Sequence, residues 1–196
     1  MLMKPQRKSL PKDYFHILCA LLLLGGVYLL LTALSPLWLR HTPLITPGDD
    51  GTLGRDSKIA AQAAHLYIPE LSVSIPFAVG DAGVLERGAW WRAPRSGNPK
   101  DGGNFVVAAH RFQIGWTPMQ TARKSPLYRI DTLAVGDTII IDYQHERYTY
   151  KIATIYRVAP TAVDLEAPTN DNRLTLYTCT LGGSSDGREV IIAKQL

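Results

Sequence analysis

The sequence predicts a mostly β fold, a closed barrel with short helices carried on one apolar helix. Three observations predict it. Beyond residue 64 the chain breaks into about eight short apolar or alternating runs, separated by turns rich in Gly, Pro, Asn and Asp. Only brief stretches of that region carry a helical pattern, and one long apolar run stands ahead of it. An open sheet of so many short strands would leave two unpaired edges, so closure is the favoured arrangement.

The first element is the run Tyr14 to Leu34, which has no formal charge and is long enough at ~1.5 Å per residue to cross a hydrocarbon layer of ~30 Å. It exceeds a usual signal-peptide core and is closed by no small-x-small cleavage site, so a retained transmembrane helix is expected over 14–34, with Ser35-Pro36-Leu37-Trp38 as its end and Trp38 at the interface. Lys4, Arg7, Lys8 and Lys12 in a tail over 1–13 place the N-terminus in the cytoplasm by the positive-inside rule, and the rest of the chain outside a cell membrane crossed once. Residues 35–63, with Pro36, Pro43, Pro47, Gly48, Gly51 and Gly54, read as an extracellular tether, in which Ser57 to Ala64 could form a short helix. No second anchor is expected after Leu196.

Residues 64–196 form the folded domain. Leu66 to Ile68 and Leu71 to Ile75 are strands split by Pro69, and Ala82 to Trp91 is a helical turn after Gly80-Asp81. Arg92 to Gly103 is a loop. Phe105 to His110 is too continuously apolar for a solvent-facing edge and reads as a buried strand. Gln113 to Pro126 is a polar connection, and Leu127 to Leu133 a short helix or turn. Thr138 to Tyr143 and Arg147 to Arg157 form a hairpin about Gln144-His145-Glu146. Val158 to Arg173 is a long connection into the strand Leu174 to Cys179. Thr180 to Gly187 is a Gly- and Ser-rich loop returning the chain along a last strand headed by Arg188.

Charge excludes one class of function. The pI is about 9.1, but the first 13 residues hold +3 of the chain's +4. The folded part is close to neutral, which argues against a nucleic-acid partner. With 46% hydrophobic residues the chain can bury a core without a disulfide framework, since its two cysteines are Cys19 in the apolar run and Cys179 in the domain.

Cys179 closes one strand, His110 closes another, and Arg188 opens the next. A thiol is mostly unreactive at neutral pH unless a base or cation shares its site, so these three types together suit acyl transfer through a thioester. A buried inert thiol is the alternative for Cys179, a structural imidazole for His110, and a surface ion pair with Glu189 or Asp186 for Arg188. His65 and His145 are assigned nothing.

These residues carry a resemblance to the sortases, membrane-anchored cysteine transpeptidases of bacterial surfaces. The TLxTC hallmark is present as Thr175-Leu176-Tyr177-Thr178-Cys179, the histidine motif as Ala109-His110-Arg111, and the arginine as Arg188, in family order. Ile68-Pro69, Leu133-Ala134-Val135-Gly136-Asp137 and Tyr148-Thr149-Tyr150-Lys151-Ile152 match as landmarks, and Ala109 departs from the Gly that many members carry. The resemblance implies a closed eight-stranded sortase-type barrel, with the cysteine on the seventh strand and the arginine on the eighth. It implies that Cys179 attacks an LPxTG-like sorting signal between Thr and Gly, that His110 acts as general acid and base, and that Arg188 binds the substrate carbonyl or oxyanion. Thr178 would bind substrate or orient Cys179, and the connection Val158 to Arg173 would wall the groove.

The implied partners are surface proteins with a C-terminal sorting signal, an amine from a peptidoglycan precursor or pilin, and membrane lipid. Anchoring is favoured over pilus assembly, because the tether lacks an Asp-Pro-aromatic lid motif. No cofactor is expected. Asp164, Glu166 and Asp171 read as solvated carboxylates, with a calcium site, known in some sortases, as the alternative. A thiol peptidase that only hydrolyses and a non-catalytic anchored peptide-binding barrel are the competing functions. Papain-type enzymes place cysteine before histidine, the opposite order.

Overall fold

The computed structural model describes residues 12–39 and 64–196. Most of the basic tail and of the tether, with its Ala-rich stretch, lies outside the described residues. The first helix, α1 (Lys12–Trp38), is 27 residues long and contains Pro36, and its part from Tyr14 to Trp38 is long and apolar enough to span a membrane.

α1 ends at Trp38, within the Ser35-Pro36-Leu37-Trp38 end expected from the sequence, and the local hydrogen bonding shows how Pro36 is accommodated in its last turn. A proline at that position leaves the Thr32 carbonyl without its amide donor. The Ser35 hydroxyl donates to that carbonyl at 2.8 Å, and the Leu39 amide donates to Ser35 O at 2.8 Å.

Nine strands follow: β1 (His65–Ile68), β2 (Val73–Ala78), β3 (Ala89–Trp91), β4 (Gly97–Asn98), β5 (Gly102–Ala108), β6 (Thr138–Tyr143), β7 (Glu146–Val158), β8 (Arg173–Thr180) and β9 (Gly183–Gln195). Eight of them close a ring in the order β3-β2-β1-β6-β7-β9-β8-β5, with β3 pairing β5. The two-residue β4 lies outside the ring on β5. Cys179 is therefore on the seventh strand of the closed barrel and Arg188 on the eighth. The pairs β5–β8 and β2–β3 are parallel, and the other pairings are antiparallel.

Alternate side chains from each strand fill the interior, among them Leu66, Ile68, Phe105, Ile139, Ile141, Leu174, Leu176 and Ile191, all essentially without solvent contact. Phe77, Trp91 and Phe105 meet edge to face across the upper core. β5 lies between β3 and β8, and its residues from Asn104 to Ala108 are buried on both faces.

Several elements differ from the sequence expectations. Ala89–Trp91 is not the end of a helical turn but the strand that closes the barrel, and the turn is confined to Ala82–Glu86. Gln113 to Pro126 contains a helix, α2 (Pro118–Lys124), with Thr117 as N-cap accepting from the Gln120 amide. The β6–β7 turn is only Gln144-His145, both at positive φ, which fits a tight hairpin twist. The expected eight-residue loop after Cys179 is a tight turn at Leu181-Gly182, after which Thr180 pairs with Gly183 and the ladder then jumps to Cys179 opposite Arg188. Ser184 to Gly187 bulge out between those pairs. Gly183, at φ +95°, takes the left-handed turn position, and the Asp186 carboxylate accepts from the Thr180 hydroxyl.

Candidate active site

β8 has two faces. Leu174 and Leu176 point into the core, and Thr178 is buried on the same side by strand alternation. Arg173, Thr175, Tyr177 and Cys179 point the other way, where Cys179 is a half-buried free thiol. Its partner directly across β8–β9 is Arg188, which places both side chains on one face with Cβ atoms about 5 Å apart.

On the other side of β8 the parallel register pairs Ala108 with Tyr177, and the Ala109 amide donates to Tyr177 O at 3.3 Å. Two residues farther along each chain are His110 and Cys179. The three residues singled out from sequence thus leave neighbouring strands β5, β8 and β9 at one end of the barrel.

His110 is half-buried, and its Nε2 has no hydrogen-bond partner among the described residues. The closest acid is Glu86, 3.7 Å away, too long for a hydrogen bond but near enough to act through its charge. Burial pushes the imidazole pKa below its ordinary value, Glu86 partly opposes this, and Lys124 adds to it. Glu86 itself is held below the usual carboxylate range mainly by its 2.6 Å hydrogen bond from Lys124. A neutral imidazole at neutral pH follows from that direction.

Arg188 does not pair with Glu189 or Asp186. Its Nη1 donates to Ser184 O at 2.8 Å and Gly187 O at 3.0 Å, so the bulge carbonyls hold the guanidinium. Nε and Nη2 have no such partner among the described residues and remain available as donors. Thr178 lies on the opposite face from the thiol, 2% exposed, with its hydroxyl unpaired among the described residues. Its side chain is therefore not beside Cys179 Sγ, and it adjoins Cys179 through the backbone.

Arg111, the residue after His110, is buried to 4% exposure. Its guanidinium pairs with Glu189 and, at 3.2 Å, with Asp131; Glu189 also accepts from Arg157 at 2.7 Å. Glu189 is the β9 residue opposite Thr178, so this buried pair ties the chain after His110 to the strand pair carrying Cys179 and Arg188.

A polar lattice that sequence reasoning missed covers the outer face of β8. Asn104, buried at the start of the apolar β5, donates to Leu165 O at 2.9 Å and Ala167 O at 2.8 Å and accepts from the Thr175 hydroxyl at 2.6 Å. Arg92 Nε donates to Glu166 at 2.8 Å, and the Tyr177 hydroxyl donates to the same carboxylate at 2.6 Å. Desolvation, reinforced by that carboxylate, pushes the Tyr177 hydroxyl pKa far up, so it stays a donor. Together they hold the turn Val163–Glu166 over β8 as one wall of a cleft lined by Thr175, Arg173, Ile192 and Tyr156. Glu166 is consumed by Arg92 and Tyr177, and Asp171 by Arg173 at 2.7 Å. Among the described residues no three His, Cys, Asp or Glu side chains come together as a metal site.

The profile of the sortase domain matches residues 66–196, the whole barrel. The chain belongs to the sortase family. This sortase is 30% identical over 149 residues to sortase SrtE1 of Streptomyces coelicolor, a match covering 68% of this chain and 40% of that protein, so the chain spans well under half of the relative's length. The crystal structure of the Streptomyces coelicolor sortase E1, with a tripeptide in its active site, superposes with a TM-score of 0.58 at 27% identity, over 69% of this chain and 89% of that one. A Clostridium perfringens sortase D5 transpeptidase shares the fold with a TM-score of 0.57 at 24% identity, over 74% of this chain and 90% of that one. The strand pairings that set Cys179, His110 and Arg188 side by side are thus part of a sortase barrel.

Proposed function

We propose that this sortase is a membrane-anchored cysteine transpeptidase that cleaves an LPxTG-like sorting signal between Thr and Gly and passes the acyl group to an amine. The observation that carries the reading is the shared register of β5, β8 and β9, which brings an imidazole, a thiol and a guanidinium to one barrel end.

The neutral His110 takes the Cys179 proton, and the thiolate attacks the Thr carbonyl carbon. Arg188, charged at any working pH and held by the bulge carbonyls, donates to the oxyanion. The C–N bond then breaks, His110 returns the proton to the departing glycine amine, and a thioester remains on Cys179. An incoming amine loses its proton to His110 as it attacks, and the thiolate leaves. Thr178 supports the nucleophile from the buried side of β8. Donor proteins with a C-terminal sorting signal would lie along the cleft under Val163–Glu166, and the amine would come from a peptidoglycan precursor or another surface protein. α1 anchors the enzyme in the cell membrane, with the N-terminus cytoplasmic and the barrel outside.

The test is turnover of the full chain in detergent micelles with a panel of LPxTG-type peptides and amines, read by mass spectrometry beside Cys179→Ala. Ligated product that requires the amine and is lost in the variant is expected. Cleavage with no ligation for any amine would make the protein a peptidase, and absence of both product and thioester would leave a peptide-binding barrel.

A further inference from the structure

The segment following His110 has no role in the chemistry, yet it carries a run of exposed apolar side chains. From Arg111 to Thr117 the chain is irregular and its backbone is tied inward: the Gln113 amide donates to Ser125 Oγ at 3.0 Å, Gly115 to Thr121 Oγ1 at 2.9 Å, and Trp116 to Gln120 Oε1 at 3.0 Å. The intervening side chains are left facing out. Phe112, Ile114, Trp116 and, on α2, Met119 are all exposed, Trp116 to 88%. A strap pinned by its own backbone that alternates apolar residues outward is a built surface, since an exposed tryptophan among such neighbours costs solvation unless something covers it.

Its position relative to α1 identifies the cover. The helix is bare from Tyr14 to Leu31 save for Cys19, a length of about 27 Å at ~1.5 Å per residue, close to a hydrocarbon layer of ~30 Å. From Thr32, 2% exposed, and Ser35, 0% exposed, one face of its last turns is covered, while Leu34, Leu37 and Trp38 stay exposed. Pro36, Leu37 and Leu39 line one crevice with Ser125, Pro126 and Tyr128. One turn before Thr32, the Tyr28 hydroxyl donates to Trp116 O at 2.7 Å. Trp116 therefore sits beside the helix where the lipid-length stretch ends, the depth that tryptophan favours. Exposed Arg87 and Arg123 border the same face of Trp116, while Lys124 is neutralised by Glu86. Apolar side chains with a cationic rim match the boundary between acyl chains and phosphates.

We propose that the strap from Phe112 to Met119 seats in the interfacial layer of the leaflet from which α1 emerges, as a second membrane contact that fixes the barrel's orientation. This rests on α1 being a membrane anchor. With the strap seated, His110, two residues before Phe112, lies close to the membrane surface, and the cleft is held at one orientation to it.

The test uses the full chain reconstituted in phosphatidylcholine–phosphatidylglycerol vesicles, with lipids brominated near the headgroup or near the chain end. The emission lost in Trp116→Phe is taken as the Trp116 signal; the ring is solvent-exposed in the fold, so the variant folds. Expected is at least twofold stronger quenching of that signal by headgroup-proximal bromines than by chain-end bromines, with protection from aqueous iodide. A Trp116 signal quenched by iodide and untouched by either bromolipid, in a chain that resists alkaline extraction, would overturn the strap while leaving the anchor intact. Release of the chain by alkali would overturn both.

Discussion

Asn104→Ala is the substitution that best separates the wall of the cleft from the catalytic end. The side chain holds three hydrogen bonds, two to the loop carbonyls of Leu165 and Ala167 and one from Thr175. Each contributes about 0.5–1.5 kcal/mol net, and the Thr175 hydroxyl, 1% exposed, is left with no acceptor, whereas the loop carbonyls regain water once the loop lifts. The sum is about 2–3 kcal/mol, which for a domain of this size lowers Tm by roughly 6–12 °C. Asn104→Asp sharpens the reasoning, because a carboxylate still accepts from Thr175 but faces two carbonyls with no donor. It should free the loop as fully as alanine does.

The assays are thermal unfolding of the full chain in detergent and hydrogen exchange over residues 163–167, where the Ala167 amide donates to Asp164 O. Both variants are expected to speed exchange there by tenfold or more and to raise KM for a sorting peptide while kcat changes little, since Asn104 stands away from the reacting atoms. A Tm shift under about 2 °C with unchanged exchange would show that Asn104 does not hold the wall.

Arg188→Ala should lower kcat on the order of 10²–10³-fold with Tm within about 2 °C of the parent, and Arg188→Lys should fall between, because an ammonium keeps the charge but not the fork; steady-state kinetics within tenfold of the parent for alanine would remove Arg188 from the oxyanion. The imidazole of His110, followed by NMR, should titrate below its ordinary value of 6.5, and Glu86→Gln should lower it further by removing the one charge that raises it. Because the folded pKa lies below the unfolded one, the unfolded chain binds the proton more readily, so the contribution of His110 to stability is intact above about 6.5 and is lost as pH falls through the folded value. Denaturant midpoints that do not decline on that acid side, or decline equally in His110→Gln, would contradict the burial of the imidazole.

How much of this was legible in the chain depends on how local each cause is. Leu174 to Thr178 alternates large apolar and β-branched residues, a pattern that stands on its own and sets which way Cys179 points. β3 was hidden because Ala89-Trp90-Trp91 is too short to show a period, and it is a strand only because β5 and β2 flank it. α2 did announce itself through Thr117-Pro118, an N-cap and first-turn pair, but seven polar-leaning residues carry little periodic signal. The burial of Arg111 is not legible locally, because its partners Asp131 and Glu189 arrive from distant segments and no local rule predicts a buried guanidinium. Asn104 was submerged in an apolar run for the same reason. One polar residue at the head of a buried strand was the available hint, since a buried amide must find partners.

Two kinds of support hold β8, one along its outer face and one at its end, and they imply different mobilities. Cys179, His110 and Arg188 are positioned by β5, β8 and β9, whose inward residues Val107, Leu176 and Ile191 are fully buried, so moving any one of the three requires opening the core. The cleft wall and the bulge are held by polar contacts that water can replace: Asn104 and Glu166 for the first, the Arg188 guanidinium and the Thr180–Asp186 bond for the second. A local opening that releases Val163–Glu166 costs a few hydrogen bonds, whereas one that displaces Cys179 costs the stability of the whole domain. Substrate entry should therefore move the wall and the bulge while the reacting residues stay fixed. Arg188 belongs to both sets, its backbone locked opposite Cys179 and its Nη1 held by the Ser184 and Gly187 carbonyls, so a shift of the bulge would re-aim its unpaired Nε and Nη2 without displacing the strand.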